Sequence, residues 1–358
     1  MLVAAVHAST ALAAAAGASA AACGAPPADA GAPPGAYPDL AVLTVPAVDS
    51  FTARADGTYV VGATPFPLRA VARTFYESHA DDYDFLVVWS DFHVTDWWAF
   101  NDVLKNDIGG IGLAEYWQWA GLSALGDDQS AMAGSAGRLQ GITFMNGPAA
   151  WAGTPEFSEQ ELLTNELGHR WCAYLNLPGS GDPWAFVDDV RSHWSIVANM
   201  GNAAALAYGL THDNGDGTFT AQITRPLTYT PWELYAMGLY DAAALADPFY
   251  VTGATAFTPP QTPWGAPWTA DTLAATTPVT FNGTRVDVPK ADVFAALGPR
   301  TPPFGAAPTS FRAAFVVLCR PRAPCGAATL AWVDAQRLAW PDTFTAATGG
   351  RATFETAL

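Results

Sequence analysis

Lysine is nearly missing from this chain: only Lys105 and Lys290 occur among 358 residues. All Lys and Arg together number 16 against 33 Asp and Glu, a formal net charge of −17. That balance argues against nucleic acid or an anionic lipid surface as partner, because both are held by clustered cations. Charged residues of either sign amount to only 14% and apolar residues to half, which argues against a disordered chain beyond the N-terminus. The sequence also has no Gly-x-Ser-x-Gly elbow, no phosphate loop and no dinucleotide fingerprint. No Asp/Glu pair marks a glycosidase.

Cysteine is scarce as well, with four in all. Residues 2–22 form an Ala-rich apolar run ending at Cys23-Gly24. Small residues before a Cys resemble a lipobox, so we expect a signal peptide over 1–22, export, and a membrane connection only through a lipid on Cys23. A transmembrane anchor is the competing reading, but so much Ala gives weak hydrophobicity per residue. Residues 23–36, rich in Pro, Ala and Gly, read as a tether. Cys319 and Cys325 flank a short loop with two prolines and form the expected disulfide of an oxidising compartment. Cys172 is left over and is expected to be a buried thiol packing as a small hydrophobe.

Periodicity supplies the elements. Leu68, Val71, Ala72, Phe75 and Tyr76 have helical spacing, and Asp84–Trp89 is a continuous apolar run suited to a buried strand. Arg138–Met145 reads as a second strand nearer an edge. Ser158 with Glu161 three residues later makes a capping box, and the helix it opens is expected to run to about Leu177, before Pro178-Gly179. Thr228–Leu239 reads as a short helix closing at Gly238. Thr280–Val286 reads as a hairpin turning at Asn282-Gly283. A strand near Phe311–Leu318 and a helix near Thr329–Trp340 close the fold. The Pro-rich stretch 256–268 marks a boundary or a long surface loop, giving a main domain over 37–255 and a C-terminal subdomain over 256–358.

The long helix carries Asn165-Glu166-Leu167-Gly168-His169. The zincin signature is His-Glu-x-x-His, where two imidazoles at i and i+4 share a helical face and the Glu activates water. Here the second residue and the last are in place and the first ligand position holds Asn165. Leu163, Leu167, Trp171 and Tyr174 fall on the opposite stripe and are expected to bury against the sheet.

Three segments together carry a resemblance: Leu162–Trp171, then Ser192-His193-Trp194-Ser195, then Tyr229–Leu239. They resemble the motif set of uncharacterised exported bacterial zincin-like proteins, His-Glu-Leu-Gly-His-Arg-Trp, His-Trp-Ser and Ser-Pro-Leu-(Asp/Glu)-Leu-Tyr-x-Met-Gly-Leu. The resemblance runs from about Tyr83 to Ala347-Thr348-Gly349-Gly350. It implies an α+β zincin-like fold, with a mixed sheet packed on a metal-site helix, and a zinc-dependent peptidase acting on peptide or protein. It supplies no known substrate, and the departure at Asn165 falls on a metal ligand.

A catalytic zinc takes three protein ligands and an open position. His169 is the first candidate and His193 the second, by context and by resemblance. A gluzincin takes a Glu from a later helix, and Glu233 is available. Asn165 offers a neutral amide oxygen, a poor zinc donor beside imidazole, so zinc is expected to be weak or absent unless Asp188, Asp189 or His212 compensates. Glu166 is the expected general base. The competing reading is a degenerate zincin serving as a cell-surface binding module.

Two further patterns read as ordinary structure. Asp213–Phe219 has Gly where a calcium loop needs oxygen ligands, so a tight hairpin turn is expected. Trp97, Trp98, Trp117 and Trp119 invite sugar stacking, but indoles more often fill cores and interfaces.

Overall fold

The computed structural model describes residues 35–44, 51–53, 59–61, 68–95, 99–112, 122–152, 157–177, 181–188, 191, 193–200, 210–222, 224–260 and 278–358. The leader, Cys23, Trp97, Trp98, Trp117, Trp119, Asp189 and 261–268 lie outside the described residues.

Strands are numbered along the chain. One six-stranded sheet is built from β1 (Leu40–Thr44), β4 (Phe85–Ser90), β5 (Phe100–Val103), β8 (Gly141–Phe144), β14 (Ser310–Cys319) and β15 (Thr353–Glu355). A five-stranded sheet takes β9 (Ala198–Asn199), β10 (Leu210–Asp213), β11 (Thr218–Gln222), β12 (Phe249–Thr258) and β13 (Val279–Asp287). Two ribbons pair β2 (Phe51–Ala53) with β3 (Tyr59–Val61) and β6 (Lys105–Asn106) with β7 (Asp127–Asp128). The helices are α1 (Leu68–Tyr76), α2 (Pro148–Trp151), α3 (Glu159–Gly168), α4 (Pro231–Met237), α5 (Lys290–Leu297) and α6 (Ala327–Ala347). The class is mixed α+β.

The first sheet runs β1-β14-β4-β8-β5, parallel throughout except for β5 at the edge. Every residue of β4 is buried, which is what a parallel strand covered on both faces requires. Phe85, Val87 and Trp89 share one apolar cluster with Leu163 and Leu167 of α3 and with Leu330, Val333, Trp340 and Phe344 of α6. Leu86 and Val88 share another with Leu68, Val71, Ala72 and Phe75 of α1. The alternation of one strand therefore builds a three-layered body with the motif helix on one face. Gln160 of α3 donates to Gln336 Oε1 of α6 at 2.8 Å, tying the two covering helices together.

Four expectations need correction. The motif helix stops at Gly168 with His169 as its C-cap, well short of Leu177. Trp171, Cys172, Ala173, Tyr174 and Leu175 are all buried and pack into the core as irregular chain. Tyr174 Oη donates to the His169 carbonyl at 2.5 Å, satisfying one of the last carbonyls of the turn. Second, Asn282-Gly283 is no hairpin turn: β13 runs straight through it between β11 and β12. A Cβ on Gly283 would meet Val251 Cγ1 at 2.3 Å, so the glycine answers a close neighbour, and the register shifts fall around Thr255 on β12. Third, Arg138–Met145 forms only the four-residue β8, one strand in from the edge held by β5. Fourth, the boundary at 255/256 falls inside β12, and β14 from beyond it lies between β1 and β4.

The Cys319–Cys325 disulfide is present and Cys172 is a buried free thiol. Asp213–Phe219 is the expected tight turn joining β10 and β11. Among the described residues no helix is long and apolar enough to cross a membrane.

Candidate metal centre

The site begins with the cap of α3. Ser158 Oγ accepts from the Glu161 N–H at 3.2 Å and Glu161 Oε2 accepts from the Ser158 N–H at 3.0 Å, the reciprocal box that the spacing predicts. The helix lies on the sheet through Leu163 and Leu167, and Leu162–Gly168 is buried throughout. Arg170 anchors its far end. This guanidinium is fully buried, reaching Gln140 Oε1 at 3.2 Å, the Lys105 carbonyl at 3.4 Å and the Asp107 carboxylate.

His169 and His193 come together, as the sequence suggests. Their ring centroids lie 4.8 Å apart with planes at 74°. His169 is half-buried. Burial, followed by the neighbouring His193, holds its imidazole well below the ordinary histidine range, although a hydrogen bond to the Cys172 backbone works the other way. The ring is therefore neutral, the form that ligates metal. Glu166 is 8% exposed, and desolvation pushes its carboxyl from 4.5 up to about 8. Asn165 is fully buried on the same helix.

His193 lies in a tight turn. The Asp188 N–H donates to the His193 carbonyl at 2.9 Å and the His193 N–H to Asp188 Oδ1 at 3.3 Å, while His193 Nδ1 meets Asp188 Oδ2 at 3.3 Å. A carboxylate on Nδ1 fixes the ring and turns Nε2 outward, the usual arrangement behind a metal-binding histidine. Asp188, offered by the sequence as a substitute ligand, thus stands behind His193. Of the remaining two, Asp189 lies outside the described residues and His212 is exposed on β10 in the second sheet.

Glu233 has other partners. It is buried at the N-terminus of α4, where its Oε2 accepts from the Thr230 N–H at 2.6 Å and its Oε1 from Trp194 Nε1 at 3.0 Å. The sequence offers Glu233 as a ligand because it reads chemistry from residue type; the Thr-x-x-Glu spacing from Thr230 was the visible sign of a capping box. The anchoring by Arg170 had no such sign, since its partners lie 30 to 65 residues away, and the orienting contact of Asp188, five residues before His193, follows no recognised motif spacing.

As a donor set for zinc the structure brings together two imidazoles, while Asn165 lies one turn back on the motif helix with its side chain fully buried. Neutral His169 and carboxylate-backed His193 fit a metal ligand's chemistry; Asn165 is the weak member. Among the described residues no three His, Cys, Asp or Glu side chains group to hold a metal. No family model, curated protein or solved structure matches the chain.

Proposed function

We propose that this is an exported, zincin-like metallopeptidase with a weakened zinc site. In this reading His169, His193 and Asn165 hold the metal, Glu166 is the general base, and peptide or protein is the substrate. One observation carries the reading: the rings of two histidines from separate motifs lie 4.8 Å apart between centroids, and one of them caps the helix on which the buried Glu166 sits. A mixed sheet under that helix is consistent with the zincin architecture that the motifs imply. Export, a signal peptide over 1–22 and a lipid on Cys23 belong to the same reading.

A zinc ion at this site supplies Lewis-acid activation of water and of the scissile carbonyl. The rest falls to the chain. Glu166 accepts a proton from the attacking water and returns it to the leaving amine. Burial keeps its carboxyl neutral up to about pH 8 in the metal-free protein, so the base is competent only where a neighbouring positive charge favours its ionised form. Asp188 holds His193 by Nδ1, and the Arg170 network holds the end of α3.

The test is peptide cleavage with zinc supplied in excess, comparing wild type with Glu166→Gln and His169→Ala. Metal-dependent cleavage that either substitution abolishes supports the proposal. Cleavage unaffected by both overturns it. A second reading, a zincin-like cell-surface interaction module without catalysis, draws on the absence of a third anionic or imidazole donor among the described residues; a wild type that binds no zinc and cleaves nothing favours it.

A further inference from the structure

His193 belongs to neither a helix nor a strand; Asp188 holds its ring, and the turn they share must itself be held against the motif helix. The next residue supplies the link. Trp194 is 5% exposed and its indole N–H donates to Glu233 Oε1 at 3.0 Å. The other carboxylate oxygen of Glu233 accepts from the Thr230 N–H at 2.6 Å, while the Glu233 N–H donates to Thr230 Oγ1 at 3.0 Å. The start of α4 is in turn fastened to the motif helix, because Tyr229 Oη donates to the Thr164 carbonyl at 2.7 Å, one residue before Asn165. Cys172 Sγ reaches the Glu233 carbonyl at 3.8 Å from the chain leaving that helix. A path of three hydrogen bonds and two peptide links thus runs from Thr164 through Tyr229, Thr230, Glu233 and Trp194 to the backbone of His193.

We infer that Glu233 is a positioning residue: its buried carboxylate braces Trp194 and so sets the distance between His193 and His169. The inference rests on the two-histidine reading above and gives Glu233 a role other than the ligand role that the sequence offers. Its chemistry requires a carboxylate. Two N–H donors from different elements converge on Glu233, and only a group with acceptors at both oxygens satisfies both. Glutamine presents one acceptor and one donor, so Glu233→Gln must lose one of the two contacts while keeping the shape that the capping box needs.

The experiment titrates zinc into wild type, Trp194→Phe, Glu233→Gln and the double variant by calorimetry. Nuclear magnetic resonance on the metal-free proteins follows the Trp194 indole proton, assigned by its loss in Trp194→Phe, and the His169–His193 ring contact. A brace predicts that each single substitution weakens zinc roughly 10- to 100-fold, the range for partners that orient ligands. The double variant should be no weaker than the worse single. In Glu233→Gln the indole proton should move upfield and the ring contact should fade. Loss of zinc in Glu233→Gln alone, with Trp194→Phe at wild-type affinity, would make Glu233 a ligand and overturn the brace. Unchanged affinity in every variant would also overturn it. Wild type that takes up no zinc would remove the metal reading, and the resonance arm would then decide the brace: a faded ring contact in Glu233→Gln upholds it, an intact one ends it.

Discussion

Glu166 gives the sharpest prediction of stability. Its carboxyl rises from 4.5 to about 8 in the fold, with burial the cause. Below pH 4.5 both folded and unfolded chains hold the proton. Between there and pH 8 only the folded chain does, so stability contributed by the neutral carboxyl is lost as pH rises through this window. Each decade of pH is worth about 1.36 kcal/mol, which makes the loss roughly 3 kcal/mol at pH 7 and about 5 kcal/mol above pH 8. Against a typical total of about 5–15 kcal/mol this is a large share. Glu166→Gln keeps the shape and cannot ionise. In chelator, urea unfolding followed by tryptophan fluorescence should show the variant matching wild type near pH 4.5 and exceeding it by about 3 kcal/mol at pH 7. Zinc should narrow that gap, because a cation beside the carboxyl favours its ionised form. Parallel pH profiles for the two proteins in chelator would refute the claim that burial holds this group neutral.

Two further substitutions probe the scaffold. Ser158→Ala removes the side-chain acceptor of the α3 cap and should cost about 1 kcal/mol, read from the urea midpoint at constant slope. Gly112→Ala should cost at least ~2 kcal/mol, because Gly112 has φ +76° and a Cβ there would meet the Tyr174 carbonyl oxygen at 2.1 Å; a variant as stable as wild type would show that this approach relaxes freely.

Much of the frame was legible because it is locally encoded. The apolar run in β4, the spacing in α1, the Ser158 cap and the Cys319–Cys325 pair each announce themselves within a few residues. So does the i, i+4 relation of Asn165 and His169. The failures are those where tertiary context overrides a local signal. Nothing in Trp171–Leu175 forbids a helix, yet in the fold these side chains join the core as irregular chain and Tyr174 Oη donates to the His169 carbonyl. Asn282-Gly283 has turn chemistry, but the glycine answers Val251 on the next strand. The C-terminal third looks like a separate unit because a Pro-rich stretch precedes it, whereas β14 is the strand that joins β1 to β4. At the site the residue types pointed to Glu233 as a ligand, and its contacts with the Thr230 N–H and the Trp194 indole became visible only in the structure.

The central claim is a zincin-type site weakened at one ligand, and zinc content after mild chelation tests it most directly. Asn165→His puts a second imidazole four residues before His169 on the motif helix, so the paired-imidazole geometry follows from the i, i+4 spacing. Asn165 is fully buried, so the larger ring must displace its neighbours, and far-UV circular dichroism should first confirm that the variant is folded. The account predicts little zinc retained by wild type and close to one equivalent by Asn165→His, with peptide cleavage rising in step and disappearing when Glu166→Gln is added. A folded Asn165→His protein that still retains no zinc would contradict the metal-site assignment, and wild type that already holds a full equivalent would contradict the weakness assigned to Asn165.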